Sequence, residues 1–221
     1  ETRDNQDDPF DVDAAATRLV NERLKLRREV AWATDFFKTS VWDTDLTGGT
    51  NFVKWDDYGN SAPIIDLETG AENIHSVTGK EPTDFTMGRQ VWTQVRHHPD
   101  FIERIKYSQR AIVTTELIAS LLGFNRVNIG RAIKVSSAEG ATTTFAYVFG
   151  KNALLSYVPS GPSLMEPAAG YTFVWTRRGG IAYTRRIRDD KAQYDRIEGH
   201  TFFDQKVVGA DLGNFFSSAV A

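Results

Sequence analysis

The chain contains no cysteine among its 221 residues, and this absence excludes several kinds of site. Without a thiol there is no disulfide, no thiolate-held metal and no cysteine nucleophile. No apolar run reaches the roughly 18 residues that a membrane-spanning helix requires. The opening letters are acidic where a signal peptide would be basic, reading ETRDNQDDP. The sequence therefore predicts neither a membrane span nor a signal peptide.

Positive charge is not in excess either. The chain has 26 Lys and Arg against 29 Asp and Glu, which gives a net charge of −3. A dedicated nucleic-acid-binding protein normally carries a basic excess, so this class is disfavoured. Apolar residues, in contrast, are plentiful: 41% of the chain is hydrophobic and 12% is aromatic, enough to bury a substantial core.

The longest regular pattern lies in residues 11–38, which contain neither glycine nor proline. Apolar or small side chains recur there at helical spacing, which indicates an amphipathic helix. Asp11 is the expected N-cap. At 1.5 Å per residue the helix would be about 40 Å long, so we expect a spine against which a sheet packs. Its apolar stripe is formed by Val12, Ala16, Leu19, Leu26, Val30, Ala33 and Phe37, and is widened by Val20, Leu24 and Ala31.

The rest of the chain alternates short helical and extended patterns, which is typical of an α+β protein. Residues 39–62 and 159–170 are rich in turn formers and are predicted to be loops. RRGG, after residue 176, favours a hairpin between the strands that flank it. Helices are predicted at 64–77, at 89–97 and from Thr114 to Gly123, and strands at 84–87, 126–135, 142–149, 153–158, 171–176, 181–188 and 214–220.

Motifs for catalysis are absent: no phosphate-binding loop, dinucleotide fingerprint, nucleophile elbow or zinc-binding HExxH occurs. His97 and His98 are the one alternative, since Asp100 and Glu103 follow them. Adjacent residues on a helix point about 100° apart, however, so the pair cannot chelate one ion. We therefore predict no catalytic, metal or cofactor site, and keep a metal-dependent enzyme only as a minor alternative.

One cluster of basic residues lies near the C-terminal strands. A phosphate group could bind such a cluster. Acidic residues follow closely, however, so ion pairs across a strand ladder are the preferred interpretation. The cluster consists of Arg177, Arg178, Arg185, Arg186 and Arg188, and the nearby acids are Asp189, Asp190, Asp195 and Glu198.

Several stretches of the chain are informative in their order and spacing: WDDYGNSAPIIDL (55–67), NIHSVTGKEPTDFTMGRQVWTQVRHHPDFIERIKY (73–107), TELIASLLGFNRVNIGRA (115–132), FGKNALLSYVPSGPSLMEPAAGYTFVW (149–175) and FFDQKVVGADLGNFFSSAV (202–220). Together they resemble the major capsid proteins of tailed bacteriophages, the Hong Kong 97-type fold. The second and third stretches are the most specific. The resemblance covers the chain from about residue 11 to its end.

The resemblance implies a long spine helix, a peripheral antiparallel sheet and an inserted α+β axial domain. Residues 1–61 would be the first part of the peripheral domain, with the spine helix at 11–38. Residues 62–167 would be the axial domain, and 168–221 the second part of the peripheral domain. The family's N-terminal arm and E-loop are expected to fall outside this sequence.

The resemblance further implies a structural coat protein without catalytic residues or cofactor, located in the virion capsid after assembly in the host cytoplasm. Its expected partners are other copies in hexamers and pentamers, a scaffolding protein, a portal, cement proteins and packaged double-stranded DNA, but no membrane. An encapsulin-type shell is the alternative. Contacts with neighbours or the interior are expected at Arg23, Arg27, Arg28, Arg177, Arg178, Arg185, Arg186 and Arg188.

Overall fold

The structure is a computed structural model that describes residues 11–105, 113–176, 182–191 and 194–221. Its helices are α1 (Val12–Phe36), α2 (Pro63–Thr78), α3 (Arg89–His97), α4 (Pro99–Ile105), α5 (Thr115–Leu122) and a 3₁₀ helix (Ala210–Leu212). Its strands are β1 (Thr44–Thr47), β2 (Asp84–Gly88), β3 (Arg126–Gly130), β4 (Ile133–Val135), β5 (Phe145–Tyr147), β6 (Ala153–Ser156), β7 (Gly170–Val174), β8 (Ala182–Asp189), β9 (Tyr194–Thr201), β10 (Phe203–Val207) and β11 (Gly213–Ser217).

The described residues form two compact units. The smaller unit contains Thr172–Lys206 and the described residues up to Ala31. The larger unit contains Trp32–Tyr171 and Val207–Ala221. Each unit has its own sheet structure, described separately below.

The larger unit is built on a five-stranded sheet with the strand order β1-β11-β6-β2-β3. The pairs β1–β11 and β2–β3 are parallel, whereas β6 is antiparallel to both of its neighbours. Every residue of β6 and β11 is buried. Successive side chains of a strand point to opposite faces, so Phe215 and Phe216 enter different hydrophobic clusters, as do Leu154 and Leu155. The sheet is therefore covered on both faces.

Helices α2, α3 and α5 contribute to one of these clusters, and the last turn of α1 to the other. The first cluster has Trp55 and Phe216 among its fully buried residues. The second joins Phe36 and Phe37 to Trp42 and to Phe149, whose ring lies 5.1 Å from that of Phe37. The core expected from the composition is thus divided into two layers, one on each face of the sheet.

Two predicted helix starts and one predicted helix end are confirmed. The Asp11 carboxylate accepts hydrogen bonds from the backbone N–H groups of Asp13 and Ala14, at 3.0 and 3.1 Å. The Thr114 hydroxyl accepts one from the Leu117 N–H at 3.3 Å. Helix α5 stops where Gly123 adopts the left-handed conformation, with φ 74°.

The smaller unit contains the β8–β9 hairpin, paired from Ala182↔Thr201 to Asp189↔Tyr194. The first half of α1 packs on this hairpin through Val20 and Leu24. A Cβ atom at Gly199 of β9 would lie 2.3 Å from Val20 Cγ1, so only glycine permits this approach. The predicted stripe is wrong at its N-terminal end, because Val12 and Leu19 are 42% and 53% exposed.

Three strand predictions are wrong. The predicted loop 39–62 contains β1, which pairs with a strand far away in sequence. The predicted strand 126–135 is interrupted after Gly130, and β3 and β4 belong to different sheets. The predicted hairpin of 171–176 with 181–188 does not form: β7 pairs with β10, and β8 with β9, where an eight-residue ladder aligns opposite charges. The RRGG turn itself lies outside the described residues.

Candidate assembly surfaces

The basic side chains of α1 are exposed. Arg23, Arg27 and Arg28 are all exposed. None of the three forms an ion pair with any residue that the structure describes. They are therefore available for contacts outside the subunit.

The arginines of β8 are engaged within the subunit. Arg186 reaches Asp13 of α1 at 2.8 Å and Asp195 of β9 at 2.9 Å. Arg185 lies 3.5 Å from Glu198, and Arg188 lies 3.5 Å from Asp195. The ion pairs predicted across the ladder are thus confirmed, and Arg186 also fastens the helix to the hairpin.

Two members of the predicted basic cluster, Arg177 and Arg178, lie outside the described residues. The sequence interpretation also missed a partner within the hairpin, since Arg196 contacts Glu198 at 2.7 Å. The four described arginines of the hairpin therefore already have carboxylate partners, unlike those of α1.

The two adjacent histidines have different environments. His97 is exposed at the end of α3, whereas His98 is only 1% exposed. The His98 ring lies edge-on to Tyr58, with 5.5 Å between the ring centroids. No group of three potential metal ligands occurs in the part of the chain that the structure describes. The two imidazoles therefore lie in different surroundings, one in solvent and one in the interior.

His98 stands between a serine and an aspartate, but its hydrogen bonds do not suit a nucleophilic triad. Its Nδ1 accepts the Asp100 backbone N–H at 3.2 Å, which leaves the ring proton on Nε2. Nε2 therefore donates to Ser61 Oγ at 2.9 Å, and the Ser61 hydroxyl donates to the Asp57 carbonyl at 2.6 Å. A general base would need a free Nε2 lone pair facing the hydroxyl. The arrangement instead caps α4 and anchors the loop before α2.

Burial lowers the pKa of His98, and the nearby Asp100 carboxylate only partly opposes this effect. The unfolded chain protonates such a histidine near pH 6.5, while the folded chain keeps it neutral to lower pH. The stability that neutral His98 contributes is thus complete above about pH 6.5 and is lost as the pH falls below that value. Protonation would also remove the Nδ1 acceptor from the Asp100 N–H.

Replacing His98 by asparagine is expected to flatten the pH dependence of stability. Asparagine can still cap a helix but does not titrate. Below pH 6.5 the free energy of unfolding of the wild type should fall by up to about 1.4 kcal/mol per pH unit more than that of H98N. Urea denaturation at pH 7.5 and 5.5 measures the difference. H97N is the control and should behave as the wild type; equal slopes for all three proteins would contradict the assignment.

Two groups are prominent among the exposed apolar side chains of the larger unit. Leu164 and Met165, in the loop before β7, have relative exposures of 104% and 95%. The β4–β5 ladder pairs Ile133 with Tyr147 and Val135 with Phe145, so four apolar side chains share one face. Each is between 44% and 66% exposed. Grouped apolar exposure of this kind is typical of an interaction surface.

A basic cleft was missed by the sequence interpretation. It has a volume of about 470 Å³ and is lined by Arg89 and Arg96 of α3 and by Arg131, which follows β3. The available signal was the seven-residue spacing of Arg89 and Arg96, which places both on one face of a helix. Arg131 comes from another element, so only the fold shows that it belongs with them.

No helix in the described ranges is both long enough and apolar enough to span a membrane. No protein-family model matches the chain. A curated relative, the "Major capsid protein" of Burkholderia phage BcepMu, is 27% identical over 224 aligned positions. The alignment covers 97% of this chain and 69% of the relative.

Solved structures share the fold. A phage-related protein from Bordetella bronchiseptica RB50 superposes with a TM-score of 0.80 and 25% identity, covering 98% of this chain and 72% of that chain. A structure from Mycobacterium phage Che8 has a TM-score of 0.54 and 14% identity, covering 94% and 64%. The SrpI encapsulin of Synechococcus elongatus PCC 7942 has a TM-score of 0.50 and 14% identity, covering 97% and 68%.

Proposed function

We propose that this chain, which is a phage coat protein with the Hong Kong 97-type capsid fold, assembles as hexamers and pentamers into an icosahedral shell. The observation that carries the proposal is the 27% identity to a phage major capsid protein along 97% of the chain. Unpaired charges and grouped apolar side chains on the surface support it, because a shell subunit must contact several neighbours.

The domain division belongs to the proposal. Residues 1–61 and 168–221 would form the peripheral domain, with α1 as its spine, and 62–167 would form the axial domain. The packing of Val20 and Leu24 of α1 against Gly199 in the β8–β9 hairpin supports the role of α1 as a spine.

The basic residues receive different roles. We assign contacts with a neighbouring subunit or the particle interior to Arg23, Arg27 and Arg28, because their guanidinium groups are exposed and free of ion pairs among the described residues. The guanidinium groups of Arg185, Arg186 and Arg188 already pair with carboxylates within the subunit. A neighbouring subunit or DNA would therefore have to share these guanidinium groups with the internal carboxylates. For Arg177 and Arg178 we keep the role that the sequence suggests, which is contact with a neighbouring subunit or the particle interior.

The location of the protein is the virion capsid, and its main partner is another copy of itself. Assembly in the host bacterial cytoplasm, with a scaffolding protein and a portal and with cement proteins added, is the finer part of the proposal. Packaged double-stranded DNA would be held without sequence specificity. A net charge of −3 suits a coat that encloses DNA without binding it tightly.

The role is structural, and we propose that the chain has no enzymatic activity. The hydrogen bonds of His98 support this, because they give it a capping function. An encapsulin-type compartment remains the second candidate, favoured by the shared fold at a TM-score of 0.50. The contents of purified particles separate the two: DNA indicates a phage coat, and an enclosed enzyme indicates a compartment.

Size-exclusion chromatography followed by negative-stain microscopy tests the proposal. The full-length coat protein, expressed with and without its scaffolding protein, is expected to elute as large particles with five- and six-membered capsomers. Elution only as a compact monomer under every assembly condition would overturn it.

A further inference from the structure

The basic cleft has the composition of a protein-binding hot spot. Its rim carries Arg89, Arg96 and Arg131, and its lining includes Trp92, Val113 and Ile129. Arginine and tryptophan are the residue types that contribute most to protein interfaces. The three arginines are exposed, and no described residue forms an ion pair with them. A guanidinium that folding leaves unpaired is available to an outside carboxylate.

The opposite chemistry occurs on α2, on an exposed surface that we call the acidic ridge. It consists of Ile65, Glu68 and Glu72, which share one face of the helix through their three- and four-residue spacing. Ile65 is 60% exposed, and both glutamates are exposed. Neither glutamate has an ion-pair partner among the described residues. The ridge thus combines an apolar anchor with two carboxylates that no described residue neutralises.

The cleft and the ridge cannot satisfy each other within one subunit. Helix α2 contacts β11 and β6, whereas the cleft is built where α3 and α5 meet β3. In the strand order β1-β11-β6-β2-β3, β3 is the edge strand, with β2 between it and β6. Strands lie about 4.8 Å apart, so β6 and β11, which α2 contacts, lie about 10 and 14 Å from β3. Both surfaces belong to the larger unit.

We propose that the basic cleft of one subunit binds the acidic ridge of a second copy of this chain. Each subunit then offers one cleft and one ridge, so the contact is heterologous, and such contacts close into rings when the rotation allows. The proposal rests on the proposed coat function and adds to it the charged contact that joins neighbours around a capsomer.

Charge exchange tests the contact in full-length protein. The cleft variant R89E/R96E and the ridge variant E68R/E72R each place like charges in apposition. Each is expected to reduce the yield of particles at least about tenfold, because many such contacts occur per shell. The variant R89Q/R96Q removes the attraction without adding repulsion, so its particle yield should fall less than that of R89E/R96E. The combined variant E68R/E72R/R89E/R96E restores opposite charges and should recover most of the wild-type yield.

A matched control separates the contact from a net-charge effect. R89E/R96E combined with E22R and E139R has the same net charge as the exchanged variant, but its new arginines replace exposed acids elsewhere. The particle yield of this control should stay as low as that of the cleft variant. All of these positions are exposed, so circular dichroism and the urea midpoint should match the wild type.

Mixing the two single-surface variants gives a second readout. An acidic cleft then fits only a basic ridge, so the two kinds of subunit must alternate. Alternation is possible in a ring of six and impossible in a ring of five, so the mixture should form six-membered rings but no closed shell. The inference is overturned if the exchanged variant is no better than the single-surface variants, or if those variants assemble as the wild type does. Failure of the wild type itself would instead overturn the proposed function, and this contact with it.

Discussion

Replacing Phe216 by alanine is expected to lower the free energy of unfolding by about 3–5 kcal/mol, the largest effect of any single change considered for this chain. Phe216 is fully buried in β11, a central strand of the five-stranded sheet. Its ring lies 5.6 Å from that of Phe52 and 5.5 Å from that of Trp55. The tip of the ring faces Gly70 of α2, where even a Cβ atom would come within 2.8 Å. The helix and the strand would therefore be separated by a cavity.

Urea denaturation of unassembled subunits measures this loss. Phe145→Ala is the matched control, because Phe145 also lies in a strand but is 66% exposed. That change should alter the free energy of unfolding by no more than about 0.5 kcal/mol. If both alanine variants lost similar amounts, Phe216 would not be the central packing residue that we describe. Phe145 also lies on the apolar β4–β5 face, so the F145A variant separately tests whether that face takes part in assembly.

Features set by neighbouring residues could be read from the sequence. The Asp11 cap, the Thr114 cap and the Gly123 stop all act within four residues of the groups they satisfy. The ion pairs of Arg185 with Glu198 and of Arg188 with Asp195 could also be predicted, because a hairpin places these residues opposite each other. The fold class followed from a resemblance of the whole chain.

Features set by distant pairing could not be read in this way. β1 is too short and polar to be recognised, and it becomes a strand because Thr44–Thr47 pairs with Asn214–Ser217 at the other end of the chain. The N-terminal end of the apolar stripe of α1 was predicted wrongly for the same reason. Which face of a long helix is buried depends on where a partner such as Gly199 allows close approach, and periodicity does not contain that information.

The surfaces proposed for assembly show the same difference between features set by neighbouring residues and features set by distant ones. Arg23, Arg27 and Arg28 could be proposed from the sequence because one helix presents them together. The basic cleft was missed because Arg131 joins Arg89 and Arg96 only after β2 and β3 pair side by side. An interface that several elements contribute is visible only in the folded chain.

Replacing Gly213 by alanine is expected to cost about 1–3 kcal/mol of stability by overpacking. Gly213 has φ −136° and ψ 147°, which any residue adopts, so the cost is steric. An added Cβ atom would lie 2.0 Å from Cε3 of Trp42. Trp42 cannot easily move, because it is 5% exposed and its Nε1–H donates to the Phe36 carbonyl at 2.7 Å. The collision would therefore loosen the last turn of α1 from the first residue of β11.

Gly161→Ala is the control for backbone entropy, since nothing lies within 4 Å of a Cβ atom there. It should be neutral or slightly stabilising. A double-mutant cycle then identifies the colliding group: in a Trp42→Phe background the smaller ring leaves room, so G213A should cost less than in the wild type. Urea denaturation of the four proteins gives the coupling energy. A coupling near zero would mean that the indole ring does not occupy the space beside Gly213, and that the end of α1 is not held to the central sheet through Trp42.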